Sequence, residues 1–438
     1  MPACDLLIHA RWVIPVEPGD TALEHHSIAV SGSDIVAVLP TPQAREQFQA
    51  HESAELDRHA IIPGLVNAHT HASMSLFRGL ADDLPLMEWL NGHVWPAETK
   101  WVSEEFIRDG AQLALAEMIR GGTTCFNDMY FFPDVVADVA RAAGMRASVG
   151  MIMIDFPTAY ARNAEEYLQK GLALHDRLRH DELVRAAFAP HAPYTVSDEP
   201  LGKIRVLADE LDVPVHMHVH ETVHEIEESM ARFGVRPLER LGGLDLLSPR
   251  LMAVHMTQLL PAEMEAIAAA GVHVVHCPES NLKLASGFCP AAKLLGAGVN
   301  LALGTDGAAS NNDLNMLGEM RTAALLAKGV AADPTALPAD TALRAATLGG
   351  ARALGWDERI GSLTAGKAAD VVAIDLGTLC SEPVYDPVSQ IVYTAGRDQV
   401  SDVWINGRRV LRSGELTTLD AGEVMARART WRDRVAQA

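Results

Sequence analysis

Eight short runs of β-branched and aliphatic residues, separated by longer amphipathic segments, occupy the middle of this 438-residue chain. They are Ile61 to His71, Thr123 to Met129, Arg146 to Ile154, Val184 to His191, Val213 to His220, Leu251 to His255, Val272 to His276 and Val299 to Thr305. The intervening segments, among them Glu104 to Arg120, Val135 to Ala143, Glu165 to Leu178, Leu201 to Leu211 and Ala262 to Ala270, carry apolar residues at helical spacing. Strands alternating with helices imply parallel βαβ units, because parallel neighbours need a crossover connection. Eight such units over roughly 250 residues predict an α/β fold of the (β/α)8 TIM-barrel type, in which the C-terminal ends of the strands converge on one rim. A doubly wound open sheet is the rival, but no G-x-G-x-x-G follows the first strand.

The flanks read differently. Residues 4–58 and roughly 367–417 hold short apolar runs between turn residues, including Ile28 to Val30, Ile35 to Leu39, Val371 to Ile374 and Val403 to Ile405. Neither flank has enough strands to bury a face alone, so both termini are expected to pair into one small composite β-sandwich beside the barrel. Residues 1–58 then form the N-terminal part of the sandwich and 59–366 the barrel. Residues 367–438 form the C-terminal part, ending in a helix from Ala421 to Ala438.

Composition narrows the partners. The chain sets 57 acidic residues against 36 Lys and Arg, a formal net charge of −21, so nucleic acid and anionic membranes, which call for a basic surface, are not expected to bind. No stretch approaches the ~18 unbroken apolar residues of a spanning helix, and no basic region followed by an apolar one opens the chain, which predicts a cytoplasmic protein. Five scattered cysteines without C-x-x-C suit reduced thiols. A small molecule is the expected partner, and self-association into a homo-oligomer is compatible with all of this.

The histidines carry the chemistry. The first run ends Asn67-Ala68-His69-Thr70-His71, and residues i and i+2 of a strand face the same side, so both imidazoles can reach one divalent ion. The fifth run contains His216, His218 and His220 at alternate positions with Glu221 just beyond. At most one or two of these can ligate the same ion, and His218 is favoured. The eighth ends Gly304-Thr305-Asp306-Gly307, which puts a carboxylate at the rim. Each signal is weak alone. Together His69, His71, His218 and Asp306 make a three-nitrogen, one-oxygen set suited to zinc or another late divalent ion, with a position left for water. His191 and His255 end two further runs at the same rim. His276-Cys277 reads as packing, and Glu225, Glu227 and Glu228 as a solvated helix face.

With these residues in place, the sequence resembles the amidohydrolase superfamily, and within it the 5'-methylthioadenosine/S-adenosylhomocysteine deaminases. The likeness is carried by Pro63 to His71, Ser75 to Leu84, Glu88-Trp89-Leu90, Pro190 to Tyr194, His218 to Thr222, Ser280 to Leu284, Leu303 to Asn312 and Gly361 to Asp370. It implies zinc-dependent hydrolytic deamination at C6 of an adenine nucleoside, with His69, His71, His218 and Asp306 as ligands. Binuclear relatives end the fourth strand with a carboxylated lysine, whereas Ala187-Phe188-Ala189 stands here, so one Zn2+ per subunit is implied. The resemblance further implies Glu221 as the acid/base, Asp306 as acceptor of the water's proton, His255 beside that water, and Glu98 and His191 as nucleoside contacts. Relatives that accept S-adenosylhomocysteine carry an arginine shortly after Gly-Met-Arg. An ungapped alignment puts Met151 there, with Arg162 in the following loop as its candidate replacement. 5'-Methylthioadenosine is therefore the expected substrate and S-adenosylhomocysteine less favoured. Guanine deaminases and triazine chlorohydrolases share the metal motif and are the enzymatic alternatives. A non-catalytic interaction protein on the same fold is the alternative of another class, and it predicts eroded ligands.

Overall fold

The computed structural model describes residues 3–19 and 21–436. The chain opens with β1 (Ala3–Val13), β2 (Leu23–Ser31), β3 (Asp34–Pro40) and β4 (Gln49–Pro63), and at Gly64 passes into a second set of strands. These are β5 (Leu65–Thr70), β6 (Thr123–Asp128), β7 (Arg146–Met153), β8 (Val184–Pro190), β9 (Val215–Val219), β10 (Leu251–His255), β11 (His273–His276) and β12 (Leu301–Leu303), each hydrogen-bonded to the next. The ladders are parallel and their residues almost all buried, as strands covered on both faces must be. The covering helices are amphipathic. Glu104–Arg120, for example, is capped by Ser103, whose hydroxyl accepts the Phe106 N–H, and it turns Phe106, Ala111, Leu115 and Met118 inward.

Side-chain and backbone hydrogen bonds close the ring between β5 and the residues just past β12. The Thr305 N–H donates to Asn67 Oδ1 (3.0 Å), Asn67 Nδ2 donates to Thr305 Oγ1 (2.7 Å), and the Asp306 N–H donates to the His69 carbonyl (3.0 Å). A Cβ at Gly304 would lie 2.7 Å from the His69 nitrogen, so glycine is what lets the last strand approach the first.

After the barrel, β13 (Val371–Asp375), β14 (Val400–Ile405), β15 (Arg408–Arg412) and β16 (Glu415–Leu416) complete a sheet ordered β16-β15-β14-β13-β4-β1-β2-β3. Both termini thus build one unit, with β4 as the seam, parallel to β1 and antiparallel to β13. Ile8, Ile28, Ile35 and Ile61 share a core with Val371 and Trp404, while Val372, Val403 and Ile405 face the barrel. The expected boundary at residue 58 falls inside β4, because Ile61 to Pro63 still pair with β13 and only Leu65 onward pairs within the barrel. The first run is therefore two strands. Arg146, at the start of β7, fastens the two units: its Nε and Nη2 donate to the two Asp370 oxygens (2.9 and 3.0 Å), and its guanidinium lies over Trp356. The terminal helix spans Ala421–Ala436, and the last two residues of the expected helix lie outside the described residues. Among the described residues, no helix is long and apolar enough to cross a membrane.

Candidate active site

Alternation along β5 and β9 brings the expected ligand set to one point. Asp306 Oδ1 lies 3.2 Å from Nε2 of both His69 and His71, and His218 Nε2 lies 3.2 Å from His69 Nε2. One donor atom from each of His69, His71, His218 and Asp306 falls within 4.8 Å of all the others. Their remaining polar atoms are tied back into the fold. His71 Nδ1 pairs with the Met129 carbonyl (2.5 Å), His218 Nδ1 with the His191 carbonyl (2.8 Å) and His69 Nδ1 with His216 Nε2 (2.8 Å), and Ser280 Oγ donates to Asp306 Oδ2 (2.6 Å). Every Nε2 therefore faces the centre. This donor set fits a divalent ion such as zinc. His220 departs from the other two histidines of its run: past the end of β9 at φ +54°, its Nε2 accepts the Leu238 N–H (3.2 Å).

A cavity of about 430 Å³ opens above the cluster, and Glu221, His255, His191 and Glu98 line it. Glu221 is buried, with Oε2 at 3.8 Å from His255 Nε2, and loss of hydration raises its carboxyl above the ordinary range. The backbone N–H groups of His220 and Glu221 both donate to Glu225 (2.9 and 2.7 Å). Glu225, expected on a solvated face, is instead buried and holds the turn that aims Glu221. His255 pairs through Nδ1 with Asn281 Oδ1 (2.9 Å) and stacks on His218. His255 and Asp306 have φ of +74° and +63°, values that few non-glycine residues adopt. Across the cavity Glu98 accepts the Tyr130 hydroxyl (2.7 Å); burial raises its carboxyl to about 7, against the pull of that hydrogen bond. Burial, reinforced by the neighbouring histidines, lowers His191 to about 3.

Two expected contacts are absent from the cavity wall. Met151 points away, toward the helix Ala164–Leu178, where a Cβ on Gly171 would meet its side chain at 2.9 Å. The adjacent Ile152 lines the cavity with Ile154 and Phe156, because successive residues of β7 face opposite sides. Arg162 is exposed and paired with Glu166 (2.8 Å). Among the described residues, neither Lys nor Arg lines the cavity. Sequence reasoning missed Tyr130, Ser280 and Asn281. The last two had a signal: adjacent polar residues in the short helix Pro278–Lys283 that follows the apolar strand β11.

Residues 60–410 match the profile described as Amidohydrolase family, over most of the chain. The chain belongs to the amidohydrolase family. Within it, this amidohydrolase is 49% identical over 431 residues to a 5-methylthioadenosine/S-adenosylhomocysteine deaminase of Saccharophagus degradans, covering 98% of this chain and 97% of the relative. A protein of the same name from Teredinibacter turnerae is 48% identical over 98% of each chain. Among solved structures, an adenosine deaminase from Xanthomonas campestris with bound zinc superposes with a TM-score of 0.99 at 56% identity over the whole of both chains. Atrazine chlorohydrolase from Arthrobacter aurescens complexed with zinc superposes with a TM-score of 0.91 at 26% identity, covering 97% of this amidohydrolase and 99% of that chain.

Proposed function

We propose that this amidohydrolase is a zinc-dependent aminohydrolase that replaces the 6-amino group of an adenine nucleoside by oxygen and releases ammonia, with 5'-methylthioadenosine preferred to S-adenosylhomocysteine. The observation that carries this reading is one cavity whose walls hold His71, His218 and Asp306 of the ligand cluster together with Glu221 and Glu98. The deaminase names of the full-length relatives support it.

His69, His71, His218 and Asp306 would hold one zinc ion per subunit. When bound, zinc supplies Lewis acidity that lowers the pKa of a water from about 15.7 to about 7. Glu221, whose carboxyl burial has raised, gives a proton to adenine N1 as C6 is attacked and takes no part in holding the ion. Asp306, held at Oδ2 by Ser280, receives the attacking water's proton and passes it to the 6-amino nitrogen, so that the C6–N bond breaks and ammonia leaves, while Glu221 takes back the proton of the new C6 hydroxyl. His255, fixed by Asn281, orients that water through Nε2. Glu98, held by Tyr130, accepts hydrogen bonds from the ribose hydroxyls, and His191 contacts the nucleoside.

The preference at the 5' end rests on the wall rather than on Met151. Ile152, Ile154, Phe156 and Trp89 suit a methylthio group, whereas a homocysteine carboxylate would lose hydration with no cation beside it. A charge-assisted hydrogen bond is worth roughly 1.5–3 kcal/mol, or about one to two decades in kcat/KM. Ammonia release from 5'-methylthioadenosine, adenosine and S-adenosylhomocysteine in competition, with the zinc content measured alongside, tests both parts. Equal efficiency with S-adenosylhomocysteine overturns the preference. Chloride release from a chlorotriazine without nucleoside turnover overturns the substrate class, and a zinc-free inert protein overturns the enzyme.

A further inference from the structure

We infer that His216 is the positioning residue that fixes the tautomer and orientation of the ligand His69, and thereby governs how tightly the site holds its ion. The inference rests on the zinc reading above. His69 and His216 are both fully buried, their rings 4.8 Å apart at 79°, with His69 Nδ1 at 2.8 Å from His216 Nε2. His69 Nε2 faces Asp306 Oδ1 and His218 Nε2, each at 3.2 Å. For that nitrogen to offer a lone pair to an ion, the ring hydrogen must sit on Nδ1, where the partner in hydrogen-bond range is His216 Nε2. His216 must then carry its own hydrogen on Nδ1, and that atom is buried with no partner.

A buried polar atom without a partner is uncommon and calls for a reason. Here the reason lies at the far side of the same ring, where Nε2 is committed to His69. The comparison with the other ligands sharpens the point. His71 and His218 are held by main-chain carbonyls, which accept a hydrogen bond under all conditions. His69 alone of the three histidines is held by a group that accepts only in one tautomer. In the other tautomer two N–H groups would oppose each other at 2.8 Å, and His69 would turn off the ion. His216 stands two residues before His218 on β9, so the strand that supplies one ligand also orients another.

The test is zinc release to a chelator at fixed pH from the zinc-loaded wild type, His216→Gln and His216→Phe, with folding followed by far-UV circular dichroism. A glutamine carbonyl can accept from His69, whereas phenylalanine fills the space without accepting. The expected result is a loss of about 10–100-fold in zinc affinity for His216→Phe and a loss of less than about threefold for His216→Gln. If His216→Phe does not fold, His216→Met, apolar and flexible, is read in its place. Zinc held by the apolar variant as tightly as by wild type overturns the inference, and so does a glutamine variant as weak as the apolar one. A wild-type protein that retains no zinc overturns the metal reading itself, which separates the two failures.

Discussion

Where the barrel strands begin, Arg146 and Asp370 are nearly inaccessible and saturate each other, with the Asn406 N–H adding a third hydrogen bond to the carboxylate (2.8 Å). Where the strands end, His69, His218 and Asp306 are buried nearly as deeply and His71 in part, and one donor atom of each points toward the others. The outer atoms of that second group are satisfied by Met129, His191, His216 and Ser280, and the inner ones converge. Saturated charge makes a fastening, because a buried ion pair earns its place only when every donor and acceptor is met. Convergent lone pairs make a receptor. One barrel uses the same residue chemistry for both, divided between its stable and its reactive faces.

The division can be broken in four ways. Glu221→Gln should cut turnover by about 10²–10⁴-fold while zinc content stays at one per chain. A loss under tenfold, or departure of the metal, would remove Glu221 from the reactive face. Arg146→Leu strands Asp370 and should cost about 3–5 kcal/mol in denaturant unfolding, with kcat/KM of the folded enzyme changed by less than about threefold; activity falling with stability would join the two faces that are separated here. Glu98→Gln should lose about tenfold in kcat/KM, but only at high pH. Since burial raises the Glu98 carboxyl to about 7, it is ionised and able to accept from ribose above that pH and protonated below it. The gap between wild type and variant should therefore open as pH rises through about 7, and a gap constant with pH would refute the assignment. The smallest effect belongs to Arg162→Ala, which should leave kcat/KM for 5'-methylthioadenosine and S-adenosylhomocysteine within about twofold of wild type, the side chain being spent on Glu166 at the surface.

Much of the reactive face was legible because its ligands obey strand periodicity: His69 and His71 are two apart, and Asp306 follows an apolar run. The expectation at Met151 fails on the same periodicity, since neighbouring residues of β7 face opposite sides and Ile152, not Met151, takes the cavity position. A histidine of the fifth run that does not ligate was expected, but which ligand it would meet was not legible: His69 finds His216 at a separation of 147 residues, and the fastening of Arg146 to Asp370 spans 224, distances at which local pattern carries no information. Glu225 was misread because an acidic run looks solvated unless the backbone N–H groups it must satisfy are known.

The seam strand β4 bears on how the chain is made. One of its edges is covered by β1 early in synthesis, but the other waits for Val371–Asp375, roughly 300 residues later. At about 5–20 residues per second, a ribosome leaves that edge bare for roughly 15–60 s while the whole barrel is being built. During that interval the segment Ala60 to Pro63, which leads directly into the strand bearing His69, is an open template on which a neighbouring nascent chain on the same message can pair. The polysome is thus a setting in which this edge stays open to mispairing until β13 has been synthesised.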